Sequence, residues 1–118
     1  MKLRTADLIG AALDWAVAKC EGNPNGWCGM VIARPMSYVF KPSTNWAQGG
    51  PIIEREKITL DYFPDGGHPC GGEWLAQVWD GNGNPTKEKM GKKILTAAMR
   101  CYVASKLGDE VEVPDGLL

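Results

Sequence analysis

The chain is short of nearly everything that would announce a chemistry. It has one histidine in 118 residues, so any imidazole acid or base has to be His68. Cys20, Cys28, Cys70 and Cys101 are scattered, with no pair at the Cys-x-x-Cys spacing of a zinc site. The glycine clusters "GGPII" and "GGHPCGG" lack the spacing and the lysine of a phosphate-cradling loop. A formal net charge of -1 supplies no overall basic face, which argues against a general DNA binder. Nothing approaches the ~18 uninterrupted apolar residues of a membrane span. The first apolar stretch, Leu8 to Val17, is broken by Gly10 and Asp14 and lacks the cleavage site of a signal peptide. These absences lead us to expect a cytoplasmic protein with reduced thiols, no membrane contact, and no metal or cofactor. Cys28, His68 and Cys70 form the one conceivable metal set.

Glycine and tryptophan are what the chain has in excess, at 15 and 5 residues. Glycine thus stands near twice its usual share of ~7%, which points to loops and close backbone contacts. The apolar fraction of 44% and charged fraction of 23% are those of an ordinary globular protein. The length suits a single domain, 1–118, able to bury a sizeable core without staples.

Periodicity predicts a helix near the start, capped by Thr5, with Ile9, Leu13, Ala16, Val17 and Cys20 as its buried stripe and Gly22 at its end. Strand-like segments follow at Met30 to Ala33, Ser37 to Lys41 and Lys57 to Phe63. In Glu73 to Trp79 alternation is clearest, with Trp74, Ala76 and Val78 on one face. Asn84 and Pro85 read as the cap and first residue of a second helix that becomes firm near Lys92. Its buried face is Ile94, Leu95, Ala98, Met99, Tyr102 and Val103, and Gly108 stops it. Glu110 to Val113 suits a short edge strand. The expected fold class is α+β, with an N-terminal and a C-terminal helix packed on a small, mostly antiparallel sheet.

One stretch resists both periods. "STNWAQGGP", Ser43 to Pro51, sets a tryptophan among turn formers and reads as a loop. Ser43, Thr44, Asn45 and Gln48 carry hydroxyls and amides, and Gly49 and Gly50 leave backbone N–H groups approachable. Trp46 adds a flat aromatic face, a set suited to a base or a sugar. The plainer alternative is a structural loop anchored by Trp46. Arg34 and Arg55 are the arginines best placed to meet an anion, and His68 reads as a solvated loop residue or a pocket-rim contact. Lys87, Lys89, Lys92 and Lys93 would gather at a helix N-terminus, as a solvated basic face or as anion contacts.

Three segments, "ALDWAVAKCEG" (Ala12 to Gly22), "STNWAQGGPIIERE" (Ser43 to Glu56) and "AAMRCYVASKLGDEVEVP" (Ala97 to Pro114), resemble the NinX-type small proteins of tailed phages and prophages. The resemblance implies a phage or prophage protein in a bacterial cytoplasm, and no mechanism. The residues themselves leave three readings open. One is a non-catalytic binder of a nucleotide-like small molecule, such as a host defence signal nucleotide. Another is an adaptor or inhibitor of a host protein, using exposed tryptophans. The third is a small hydrolase using His68 with Asp61 or Asp65. A homo-oligomer is expected with either of the first two.

Overall fold

A computed structural model of the protein describes residues 1–21, 40–64 and 72–114. In chain order the elements are β1 (Lys2–Arg4), a 3-10 turn (Thr5–Asp7), α1 (Gly10–Cys20), α2 (Trp46–Glu56), β2 (Thr59–Phe63), β3 (Glu73–Trp79), β4 (Pro85–Gly91), α3 (Ile94–Leu107) and β5 (Glu110–Glu112). Strands β2, β3 and β4 form an antiparallel meander, and β1 pairs antiparallel with β5. The α+β class is as expected, with one helix more than the periodicity announces.

Helix α3 is the centre. Leu95, Ala98, Met99, Tyr102 and Val103 are buried as expected, and so are Thr96, Ala97, Cys101 and Ala104, so the helix is enclosed nearly all round. It packs on β3 and β4 on one side and on α1 and α2 on the other. Gly91 permits the closest approach, since a Cβ there would stand 2.8 Å from the Ala97 nitrogen. On β3, Ala76 is fully buried and Trp74 and Val78 pack against the core, as their shared face predicts.

Three boundaries differ from expectation. Thr5 does not cap α1. It lies buried in the 3-10 turn, where its N–H donates to the Asp109 carbonyl (2.8 Å) and its hydroxyl to the Gly108 carbonyl (2.7 Å), closing the end of α3. α1 starts instead at Gly10, with Leu8 buried and Ile9 66% exposed, so Ile9 leaves the stripe. Asn84 and Pro85 do not begin a helix. Pro85–Gly91 pairs with Trp74–Trp79 as a strand, because β3 offers a partner that outweighs a local cap signal.

The third difference bears on function. The supposed loop is helical from Trp46. Asn45 caps it through its side-chain carbonyl, which accepts from Ala47 N at 2.9 Å. Burial of Ile52 at 2% exposure then outweighs the poor helix propensity of Gly49, Gly50 and Pro51. The strands expected at Met30 to Ala33 and across most of Ser37 to Lys41 lie outside the described residues.

Two polar ties hold α1, α2 and α3 together. Buried Asp14 accepts the Ser43 N–H at 2.9 Å and so fastens the turn before α2 to α1. Burial raises the Asp14 carboxyl, and bonding from Ser43 and the charge of Lys41 offset part of this. At the other end, Arg55 grips Glu21 with both amino groups, at 3.1 and 2.6 Å, while the Tyr102 hydroxyl donates to Glu21. Burial alone would raise Glu21, but the bonds from Arg55 and Tyr102 win and hold it below the usual carboxylate range.

The two carboxylates therefore impose opposite pH slopes. Glu21, with its lowered folded pKa, adds stability above its unfolded pKa of about 4.3, and this is lost as pH falls through the folded value. Asp14, with its raised pKa, subtracts stability as pH climbs above about 3.9. Urea unfolding should show Glu21→Gln losing most at pH 7 and little near pH 3, whereas Asp14→Asn gains on the parent between pH 4 and 7. Matching slopes for the two variants would contradict these ties.

Adjacent glycines in α2 give a second test. A Cβ on Gly49 would stand 2.5 Å from the Pro42 oxygen and 2.7 Å from Leu95 Cδ2, while one on Gly50 meets nothing closer than Trp46 Cε3 at 3.9 Å. Gly50→Ala should stabilise by about 0.5–1 kcal/mol through helix propensity. Gly49→Ala should destabilise despite the same propensity gain, because backbone must move. Equal shifts in thermal unfolding would refute the close packing at Gly49.

Candidate functional site

The turn before α2 is built by backbone bonds. Thr44 N and Asn45 N both donate to the Lys41 carbonyl, at 3.1 and 2.9 Å, and Lys41 N donates to Gln48 Oε1 at 2.6 Å. With Asp14 holding Ser43 from beneath, the turn is pinned against the first residues of α3. Two adjoining cavities open there, of about 500 and 330 Å³, and share Ser43, Thr44, Lys92 and Lys93 in their walls. The smaller adds Trp46 and Trp74, and the larger adds Arg100 and Glu73.

The aromatic end is well defined. Trp46, 54% exposed, starts α2 and lies over Gly50 one turn on. Trp74 leans on Tyr62 with ring centroids 4.9 Å apart, which fixes its plane. The shared wall carries two cations, and the larger cavity sets Asp7 and Glu73 against Arg100. Lys92 and Lys93 are exposed and form no ion pair with any described residue. Lys93 occupies the N-cap position of α3, and its side chain caps none of the first N–H groups of the helix.

Arg100 completes the wall. Its Nε donates to the Leu8 carbonyl and its Nη1 to the Met90 carbonyl, both at 2.7 Å, so the guanidinium is fixed between the start of α1 and the end of β4. Desolvation depresses its pKa, and the charges of Asp7 and Glu73 offset this only in part. Ser43 is 3% exposed, and its hydroxyl has no hydrogen bond of normal geometry, although the Asp14 carboxylate lies beside it.

Among the residues singled out from sequence, Ser43, Thr44 and Trp46 come together at this site. Asn45 and Gln48 line neither cavity, and their side-chain carbonyls are engaged with Ala47 N and Lys41 N. Gly49 donates its N–H to the Asn45 carbonyl at 2.8 Å and is buried, so it presents no open backbone. Gly50 also lies within α2, beneath the Trp46 ring. Arg55 belongs to the Glu21 tie at the far end of α2. Arg34 and His68 lie outside the described residues, as do Asp65 and the Cys28, His68 and Cys70 set.

The lysine cluster divides. Lys87 and Lys89 are strand residues paired with Asp109 at 3.4 and 3.2 Å, which leaves Lys92 and Lys93 at the helix start. Arg100 and Trp74 were missed. The one available signal for Arg100 is a charged residue in the middle of a helix whose other charge, Lys106, sits in its last turn.

Burial pushes the Cys20 thiol up to about 12 and that of Cys101 up to about 11, which leaves both inert near neutral pH. No group of three His, Cys, Asp or Glu among the described residues could hold a metal ion. No helix among them is long and apolar enough to cross a membrane.

Comparison with known families matches residues 4–106 to the family described as bacteriophage P22, NinX. A search of curated proteins finds no match. The family match runs from the edge of β1 to the last turn of α3 and takes in both walls of the groove, so the chain belongs to the bacteriophage P22 NinX family.

Proposed function

We propose that this small phage-type protein is a non-catalytic binder of a nucleotide-like molecule, held in the groove between the 41–45 turn and the start of α3. The observation that carries the reading is the pairing of two unlike cavity ends across shared walls. Trp46 and Trp74 flank one end, Arg100 flanks the other, and Lys92 and Lys93 stand in the wall the two cavities share. A planar base suits the first and an anionic group the second. The volumes fall in the range of small-molecule sites. Withholding a signal nucleotide from the host is the role such binding would serve in a phage protein that needs no turnover.

The exposure of Trp46 favours this reading over a structural clasp. A tryptophan anchored in a core is rarely more than half exposed, and its truncation then costs about 3–5 kcal/mol of stability. Trp46→Ala should instead melt close to the parent and weaken nucleotide binding by roughly 10- to 150-fold in calorimetry. Trp46→Phe should recover part of that loss. Native mass spectrometry of protein from infected cells would read bound mass and subunit number together. A Trp46→Ala variant that melts far below the parent, or binds a nucleotide panel as the parent does, rules the reading out.

A further inference from the structure

The turn that joins β3 to β4 reads Asp80-Gly81-Asn82-Gly83-Asn84, and all of it is exposed. Asp80 shapes it. Its Oδ1 accepts the N–H groups of Asn82 at 2.8 Å and Asn84 at 3.0 Å, and Asp80 N donates to the Asn84 carbonyl at 2.9 Å. Two groups are left over by this arrangement. The Asn82 side-chain amide makes no hydrogen bond with any described residue. The Gly83 N–H reaches the Asp80 carbonyl only at 3.4 Å, beyond the usual N–H···O range. Gly83 has φ 85°, and a Cβ there would meet nothing within 4 Å, so no neighbouring side chain shields its nitrogen.

We propose that Asn82 is a site of spontaneous deamidation, independent of any ligand the groove takes. The Gly83 nitrogen gives its proton to base and attacks the Asn82 side-chain carbonyl carbon. The new C–N bond closes a succinimide ring, and the side-chain nitrogen leaves as ammonia. Water then opens the ring at either carbonyl, giving aspartate or isoaspartate, so the net change consumes water and releases ammonia. The other described asparagines are barred from this step. Asn84 precedes Pro85, whose nitrogen has no proton to lose. Asn45 precedes the bulky Trp46, and its side-chain carbonyl is held by Ala47 N at 2.9 Å as the cap of α2. Asn25 also precedes a glycine but lies outside the described residues. The product disturbs the turn. Isoaspartate carries the main chain through the former side chain, lengthening it between the two N–H groups that Asp80 holds. Either product also sets a second carboxylate beside that of Asp80.

The test ages the folded protein at pH 6 and at pH 8, digests it with trypsin and reads the peptides by mass spectrometry. Asn25 and Asn82 fall on different tryptic peptides, so each is followed alone. The peptide bearing Asn82 should gain a single dalton, divide into aspartyl and isoaspartyl forms on chromatography, and do so faster at pH 8, where the Gly83 nitrogen ionises more readily. Asn82→Gln should lose that gain while melting with the parent, because the side chain is exposed and unbonded. Asn82→Asp should yield a peptide that co-elutes with the aspartyl form. A peptide that keeps its mass in the folded protein and gains it only after unfolding in urea would overturn the proposal, since the turn would then protect Asn82. A gain that survives Asn82→Gln would overturn it equally.

Discussion

Everything in this molecule is arranged round the burial of α3. A helix of 14 residues that is enclosed nearly all round must be approached closely, and its sequence allows it by placing Ala97, Ala98 and Ala104 among the larger apolar side chains. Gly91 lets β4 nearly touch the Ala97 backbone, and Gly49 lets α2 seat on Pro42 and Leu95. With its flanks committed to packing, α3 has only its ends left for anything else. The C-terminal end is closed by Thr5, whose hydroxyl and N–H reach the Gly108 and Asp109 carbonyls. The N-terminal end is left uncapped beside a cavity. The asymmetry follows from which end the fold seals.

Asp14 shows what the fold tolerates to keep that cavity walled. A carboxylate on the buried side of α1 is unfavourable, and burial is the largest influence on its pKa. It persists because it holds the Ser43 N–H, and with it the turn that delivers Thr44 and Trp46 to the start of α3. The same carboxylate lies beside the Ser43 hydroxyl. Removing the charge would relax the core. Under the proposed reading, that cost is offset by the position of the turn, as where stability yields to a binding site.

How much of this was legible from sequence depended on how local the cause was. β3 was readable because its alternation is carried by Trp74, Ala76 and Val78 within one strand. The buried face of α3 was readable at helical spacing, although its burial on the remaining sides depends on neighbours the period cannot name. β4 was hidden because Asn84 and Pro85 imitate a helix start and only pairing with β3 overrides them. α2 was hidden because Gly49, Gly50 and Pro51 argue against a helix, whereas the packing of Ile52 and the fit of Gly49 argue for one. In the site, Ser43, Thr44 and Trp46 were legible as neighbours in sequence. Arg100 was not, because its importance comes from the carbonyls of Leu8 and Met90, residues far along the chain.

The charge distribution narrows the class of ligand. The whole chain carries -1, and among the described residues Lys87 and Lys89 are paired with Asp109 and Arg55 with Glu21 and Glu56. A polynucleotide would need a basic track extending beyond one groove, because each phosphate along the strand must find a counter-charge. Lys92, Lys93 and Arg100 form a short cluster instead, backed by a helix terminus and facing a pair of tryptophans across shared walls. With Asp7 and Glu73 in the same walls, a cluster of that extent can neutralise about one phosphate and no more. The proposed ligand is therefore a small molecule with an aromatic end and a phosphorylated end. Selectivity would rest on the separation between Trp46 and Arg100, which the Asp14–Ser43 tie holds fixed.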